Sequence, residues 1–185
     1  MAIVTVPNRG VRITESYEIA NFLSAIDIDY ERCDASRDLP PDTSDNEILE
    51  AYSNQIERLN LSGGYTTADV INVTQDTPGL DAMLDRFNKE HWHDEDEVRF
   101  IVGGSGIFHI APRDSDVVAI EMGEGDMIRV PRGTLHWFDL CGDRSIRAIR
   151  LFQDPAGWTP HYTISGVEAG FEPVCLGLSH ISASL

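Results

Sequence analysis

Cysteine is scarce in this chain and poorly placed for pairing. Cys33, Cys141 and Cys175 are odd in number, far apart and without a CxxC pair. That argues against a disulfide framework and a thiolate metal site, and leaves three plain thiols as the expectation. Long apolar runs are missing too. No stretch approaches a membrane span, and the opening Met1-Ala2-Ile3-Val4-Thr5-Val6-Pro7 lacks the charged start and long apolar run of a signal peptide. A cytoplasmic protein with no membrane partner is expected. Positive charge is the third shortage: 14 Lys and Arg face 31 Asp and Glu, a formal net charge of −17. Without a basic run to neutralise phosphates, nucleic acid and anionic lipid surfaces are not expected partners. An anionic small molecule could still be held if a few arginines were placed locally.

At 185 residues the chain is long enough for one well-filled core. The expected organisation is a single domain in three parts: residues 1–90 a helical and short-strand extension, 91–153 the core strands, and 154–185 a C-terminal segment. Ala2 to Ile13, broken by Pro7-Asn8-Arg9-Gly10, reads as one edge strand and a turn. Ile19, Phe22, Leu23 and Ile26 recur at helical spacing and predict a helix from about Ser16 to Ile26. Asp27 to Tyr30 is extended. A polar loop then leads to a second helix, with a capping-box start at Ser44 and Glu47 and an apolar stripe at Ile48, Tyr52, Ile56 and Leu59. Gly63-Gly64 ends it. Tyr65 to Val73 reads as a strand, and Leu80, Met83, Leu84 and Phe87 as a third helix. Beyond His91 the texture changes to short β-prone runs: Glu97–Gly103, Gly106–Ala111, Val117–Glu121, Met127–Val130, His136–Leu140 and Ile146–Phe152. Such spacing suggests a sandwich or barrel, with the early part packed outside it. The tail from Gly166 is weakly patterned, and Ser179 to Leu185 reads as mobile.

The chemistry gathers at Glu90-His91-Trp92-His93-Asp94-Glu95-Asp96-Glu97-Val98-Arg99-Phe100. If this stretch is extended, residues at even spacing share a face, so His91, His93 and Glu97 form one wall. Two imidazoles and a carboxylate suit a borderline or transition metal rather than Mg or Ca. A second phrase follows: Gly125, five residues, Pro131-Arg132-Gly133, two residues, His136. Its tight turns place His136 at the start of a neighbouring strand, where it can be a fourth ligand. Three histidines and a glutamate leave two positions open on an octahedral metal for a bidentate ligand. Arg99, two residues after Glu97, can supply the local positive charge. His109, His161 and His180 are expected not to be ligands, and Asp94-Glu95-Asp96 reads as a solvated turn.

The two phrases in order resemble the paired motifs of the cupin superfamily. Asp85 stands where many cupins have Gly, and Leu140 where many have Asn. More specifically, the Glu90–Phe100 stretch, His136-Trp137-Phe138-Asp139, the run from Ala148 to Trp158 and Gly64-Tyr65-x-x-Ala68-Asp69-Val70 resemble the acireductone dioxygenase family, over about Val11 to Thr163. The resemblance implies a mostly β cupin barrel (a double-stranded β-helix or jelly roll) with N-terminal helices and strands outside it. It implies one Fe2+ or Ni2+ per chain on His91, His93, Glu97 and His136, and a monomer. The implied activity is a step of methionine salvage: O2 cleaves 1,2-dihydroxy-5-(methylthio)pent-1-en-3-one to 4-methylthio-2-oxobutanoate and formate with iron, or to methylthiopropionate, formate and CO with nickel. Arg99, Phe87, Phe138, Arg150 and Trp158 match positions around the family's substrate pocket. On the residues alone, a metal-dependent cupin isomerase or epimerase and a non-catalytic ligand-binding cupin are the alternatives.

Overall fold

Within its first thirteen residues the chain doubles back on itself. Strand β1 (Ile3–Val6) passes through a 3-10 turn at Pro7–Arg9 and returns as β2 (Val11–Ile13). Gly10 makes the reversal possible at φ 63, in the left-handed region. The expected single edge strand is thus a hairpin, because β1 also has a partner on its other side. The computed structural model describes residues 1–154, 158–177 and 180–182. Pro155-Ala156-Gly157 of the family-like phrase, and most of the segment from Ser179 onward, lie outside the described residues.

The remaining elements are α1 (Ser16–Ser24), β3 (Asp29–Arg32), α2 (Asp45–Ala51), α3 (Ser53–Gly63), β4 (Thr67–Val73), α4 (Leu80–Leu84), β5 (His91–Trp92), β6 (Glu97–Ile110), β7 (Val118–Gly123), β8 (Asp126–Val130), β9 (His136–Leu140), β10 (Ile146–Phe152) and β11 (His161–Tyr162). The capping box at Ser44 forms as read: the Glu47 amide donates to the Ser44 hydroxyl, and the Ser44 amide to the Glu47 carboxylate. The single helix expected after it splits at Tyr52, whose backbone leaves the helical region at φ −110 and ψ 17. There the Tyr52 ring is buried edge-on against Phe100, and its hydroxyl donates to the Ala35 carbonyl. The tyrosine is anchored in the core at the point where the helix axis turns.

Two antiparallel sheets make the barrel. One runs β11-β5-β9-β6-β7-β1-β2; the other runs β4-β10-β6-β8-β3. Strand β6 belongs to both. Its first half pairs with β8 and β10, and its second half with β7 and β9. The two runs read separately in the sequence are therefore one 14-residue strand. It changes sheet at Gly104, where φ is 69 and a Cβ would lie 2.1 Å from the Ser145 carbonyl oxygen. Only glycine fits that bend.

The alternation of β6 explains the layering. Val98, Phe100 and Val102 face outward and are buried under Ile48 of α2, Leu59 of α3 and Tyr52 between the two helices. Glu97, Arg99 and Ile101 face inward. Between the sheets, Ile101, Phe108, Ile110, Ile120, Ile128 and Leu140 form the main core. The product is a mostly β, cupin-type barrel with helices and short strands added around it. No helix among the described residues is long and apolar enough to cross a membrane.

One expectation about cysteine is overturned. Cys141, just after β9, and Cys175 in the tail are joined as a disulfide with Cα atoms 5.9 Å apart, and only Cys33 is free. The spacing of 34 residues carries no local cue; the tail meets β9 through folding. Its docking is polar as well, since the buried Glu121 carboxylate accepts the amides of Leu176 and Gly177.

Candidate metal centre

The stretch from His91 to Glu97 is not one extended segment. β5 ends at Trp92, a bend occupies Asp94 and Glu95, and β6 begins at Glu97. Even spacing therefore does not keep one face across the bend, and the three side chains converge for another reason. The acidic run is a clamp rather than a freely solvated turn: Asp96 accepts from the Arg129 guanidinium and the Arg132 amide, and Glu95 from the amides of Gln153 and Asp154. The His93 carbonyl accepts the Gly133 amide. These contacts fold the bend back so that His93 and Glu97 face the same space as His91.

His136 opens β9 directly opposite His91 in the β5–β9 pairing, and the two rings lie 4.5 Å apart. Donor atoms of His91, His93 and His136 all lie within 4.8 Å of one another, and all three residues are buried. Each Nδ1 faces a backbone carbonyl: His91 that of Lys89 at 2.7 Å, His93 that of Thr159 at 3.1 Å, His136 that of Thr134 at 2.8 Å. A carbonyl only accepts, so each Nδ1 carries a proton and each Nε2 is the nitrogen turned to the shared space. Burial, helped by the neighbouring His136, drives the His91 pKa down to about 3. The ring is neutral, as a ligand must be.

Glu97 divides its two oxygens. Oε2 lies 2.9 Å from His136 Nε2 and 3.3 Å from His93 Nε2, while Oε1 pairs with Arg99 at 2.6 Å. Burial pushes the Glu97 pKa up, but the Arg99 guanidinium outweighs it and holds the carboxyl well below its ordinary value. Lone pairs on Oε2 and a neutral Nε2 would repel at such distances unless a cation lay between them. Two donors at right angles around a cation with bonds of about 2.1 Å sit about 3.0 Å apart. The donor set, the tautomers and the separations all fit a divalent metal.

A narrow cavity of about 40 Å³, mostly apolar, lies beside these residues. His91, Glu97, His136 and Arg99 form its polar end. Ile71, Met83, Leu84, Phe87 and Phe138 form apolar walls.

A family model described as ARD/ARD′ matches residues 8–160. An acireductone dioxygenase of Marinobacter nauticus is 44% identical over 151 residues, 82% of this chain and 80% of that protein. Another, of Bacillus mycoides, is 39% identical over 171 residues, covering 88% and 100%. The chain belongs to the acireductone dioxygenase family. A solved structure, acireductone dioxygenase from Bacillus anthracis with a cadmium ion in its active centre, superposes with a TM-score of 0.83 at 37% identity, covering 88% of this chain and 98% of that one.

Against the family resemblance, the residues read from sequence divide into two groups. Arg99, Phe87 and Phe138 line the cavity with His91, Glu97 and His136. Phe138 is seated by its backbone amide, which donates a hydrogen bond to the Phe87 carbonyl. Arg150 and Trp158 do not line it. Arg150 makes a two-pronged contact with Asp69 at 2.7 and 2.5 Å, and its guanidinium lies over the rings of Phe152 and Trp158. Trp158, 38% exposed, borders a smaller cleft with His93, Asp96, Glu97, Arg99 and Phe152. Arg99 thus stands between cavity and cleft. Burial above all lowers its pKa to about 10, Arg150 adding to the effect and Glu97 opposing it, and Nη1 is buried without a hydrogen-bond partner among the described residues. His109 and His161 sit elsewhere, stacked on Trp137 and Trp92 respectively, and His180 lies against the Ser182 hydroxyl. For the apolar walls Ile71, Met83 and Leu84, helical and strand periodicity signals burial without saying what they are buried against.

Proposed function

We propose that this chain, acting as a single-domain monomer, is a metal-dependent dioxygenase that cleaves acireductone with O2, using one iron or nickel ion held by His91, His93, Glu97 and His136. The observation that carries the reading is the convergence of three buried imidazoles and one carboxylate oxygen beside the polar end of an otherwise apolar cavity. When bound, the metal supplies Lewis acidity and a template for a chelating enediolate. The rest is the work of the chain. Arg99 holds Glu97 Oε1 and so turns Oε2 toward the imidazoles, while its second terminal nitrogen remains available to an anionic substrate oxygen. Phe87, Phe138, Met83 and Leu84 receive the methylthioethyl tail and keep water from it.

With iron the products are 4-methylthio-2-oxobutanoate and formate; with nickel, methylthiopropionate, formate and carbon monoxide. Either set accounts for every atom of substrate and O2. Supporting this reading are the family membership and the donor set, which takes either metal. All of the site's residues come from one chain. The test is anaerobic mixing of iron-loaded protein with acireductone followed by oxygen. Keto acid and formate in equal amounts are expected; undiminished substrate would sink the proposal.

A further inference from the structure

Two of the three imidazoles are oriented locally and one is not. His91 and His136 each use a carbonyl two residues earlier in the chain, whereas His93 uses that of Thr159, 66 positions away. The Thr159 carbonyl arrives on a strap, residues 159–165, that runs antiparallel beside the metal-site strand. β11 in this strap pairs with β5, matching His161 with Trp92 and Tyr162 with His91. Beyond it, Thr163 and Ser165 both donate their hydroxyls to one oxygen of Glu90 at 2.5 Å, and the Thr163 amide donates to the Glu90 carbonyl at 3.0 Å.

Glu90 is an unusual residue to find there. It is 4% exposed, directly precedes His91 and forms no ion pair among the described residues. A carboxylate buried without a cation is costly unless hydrogen bonds satisfy it. Here the donors that satisfy it all come from the strap. We propose that Glu90 is a positioning residue: it pins the strap against β5, and through the Thr159 carbonyl the strap fixes the tautomer and rotation of the His93 ring. The inference rests on the reading of His93 as a metal ligand, and it assigns to the C-terminal segment a part in building the site.

The test compares wild type with Glu90→Ala, Glu90→Gln and Thr163→Val/Ser165→Ala, using Ni2+ titration by calorimetry and 15N-histidine NMR of the metal-free protein. Losing an outer partner of a ligand typically weakens metal binding about 10–100-fold. Glu90→Ala and the double variant should show that loss, and in the metal-free protein His93 alone should become a mixture of ring tautomers while His91 and His136 keep Nδ1–H. Glu90→Gln, which still accepts both hydroxyls, should stay within a few-fold of wild type. Should Glu90→Ala fail to fold, the double variant decides. Unchanged affinity, or simultaneous loss of order in all three rings, overturns the inference. Failure of the wild type to bind Ni2+ would instead overturn the metal reading, and the ring signals would still decide for or against the strap.

Discussion

Replacing Arg99 by leucine should destabilise the metal-free protein far more than the metal-loaded one. The guanidinium lies 2.6 Å from Glu97 Oε1, and both residues are buried. Removing one partner of a buried pair leaves the other charge uncompensated, which costs about 3–5 kcal/mol. Burial and the nearby Arg150 already disfavour the Arg99 charge, so the lower end, about 3 kcal/mol, is expected here. For a chain of this length that is a melting temperature roughly 6–12 °C lower. The pH dependence gives a second signature. In the wild type the folded-state pKa of Glu97 is depressed, so its stabilising contribution is present at neutral pH and lost as pH falls through that low value. Without Arg99 the folded pKa rises. The stability gap between variant and wild type should therefore be widest at neutral pH and close in acid, where the carboxyl is protonated in both. A divalent metal against Oε2 supplies the missing positive charge, so saturating Ni2+ should shrink the gap. Urea titrations with chelator and with Ni2+, at neutral and mildly acidic pH, measure all three effects. The variant should keep stoichiometric metal and lose substrate affinity or rate. A metal-free variant as stable as wild type at neutral pH would refute the reasoning, as would loss of the metal itself.

Further outcomes can be checked with the same protein. His93→Ala should lose metal and turnover together, with at least about 100-fold weaker binding, since even outer partners of ligands are worth that much; retention of metal by elemental analysis would count against the donor set. Reducing Cys141–Cys175 releases a loop of 34-residue separation, and urea unfolding with and without a phosphine reductant should show a loss of up to about 4 kcal/mol. Because this link lies on the outer face of its sheet with Ile107 and Ala119, Ni2+ affinity should not change. His109, 1% exposed and with its pKa lowered by burial to about 4, stays neutral in the fold while the unfolded chain takes up a proton near the ordinary imidazole value. Stability should therefore fall by roughly 3 kcal/mol between about pH 6.5 and pH 4 on its account. His109→Phe should flatten that part of the pH–stability curve; an unaltered slope would show that the ring is not held neutral.

How much of this could be read from the residues alone depended on distance along the chain. The strand limits His136–Leu140 and Ile146–Phe152 and the Ser44 cap were legible because each is signalled within a few residues. The gathering of His91, His93, Glu97 and His136 was legible from spacing, although the assumed straight strand is a clamped bend. What straightness would have done is done by Arg129, Arg132 and the amides of Gln153 and Asp154, none of which the local pattern points to. The pairing of Cys141 with Cys175, the break at Tyr52 and the attachment of Thr159 to His93 share that character. Each is made by a partner far away in sequence, where periodicity carries no information. Arg150 shows the converse: its match to a family phrase could not tell a cavity wall from a partner for Asp69.

Strand β6 sets the length scale of the whole pocket. It carries Glu97 and Arg99 at one end, turns at Gly104, and returns in the other sheet to place Phe108 with its ring 6.5 Å from that of His136. Both sheets are spliced through this one segment, so the depth of the pocket from Glu97 to the turn at Gly104 is counted out in residues of a single strand. An insertion or deletion of one residue between Glu97 and Gly104 would turn Arg99 out of the cavity and bring Val98 or Phe100 into it. Surface loops of this barrel can lengthen or shorten at small cost, but this stretch behaves as a ruler, and evolution or design that changes its length must rebuild the pocket.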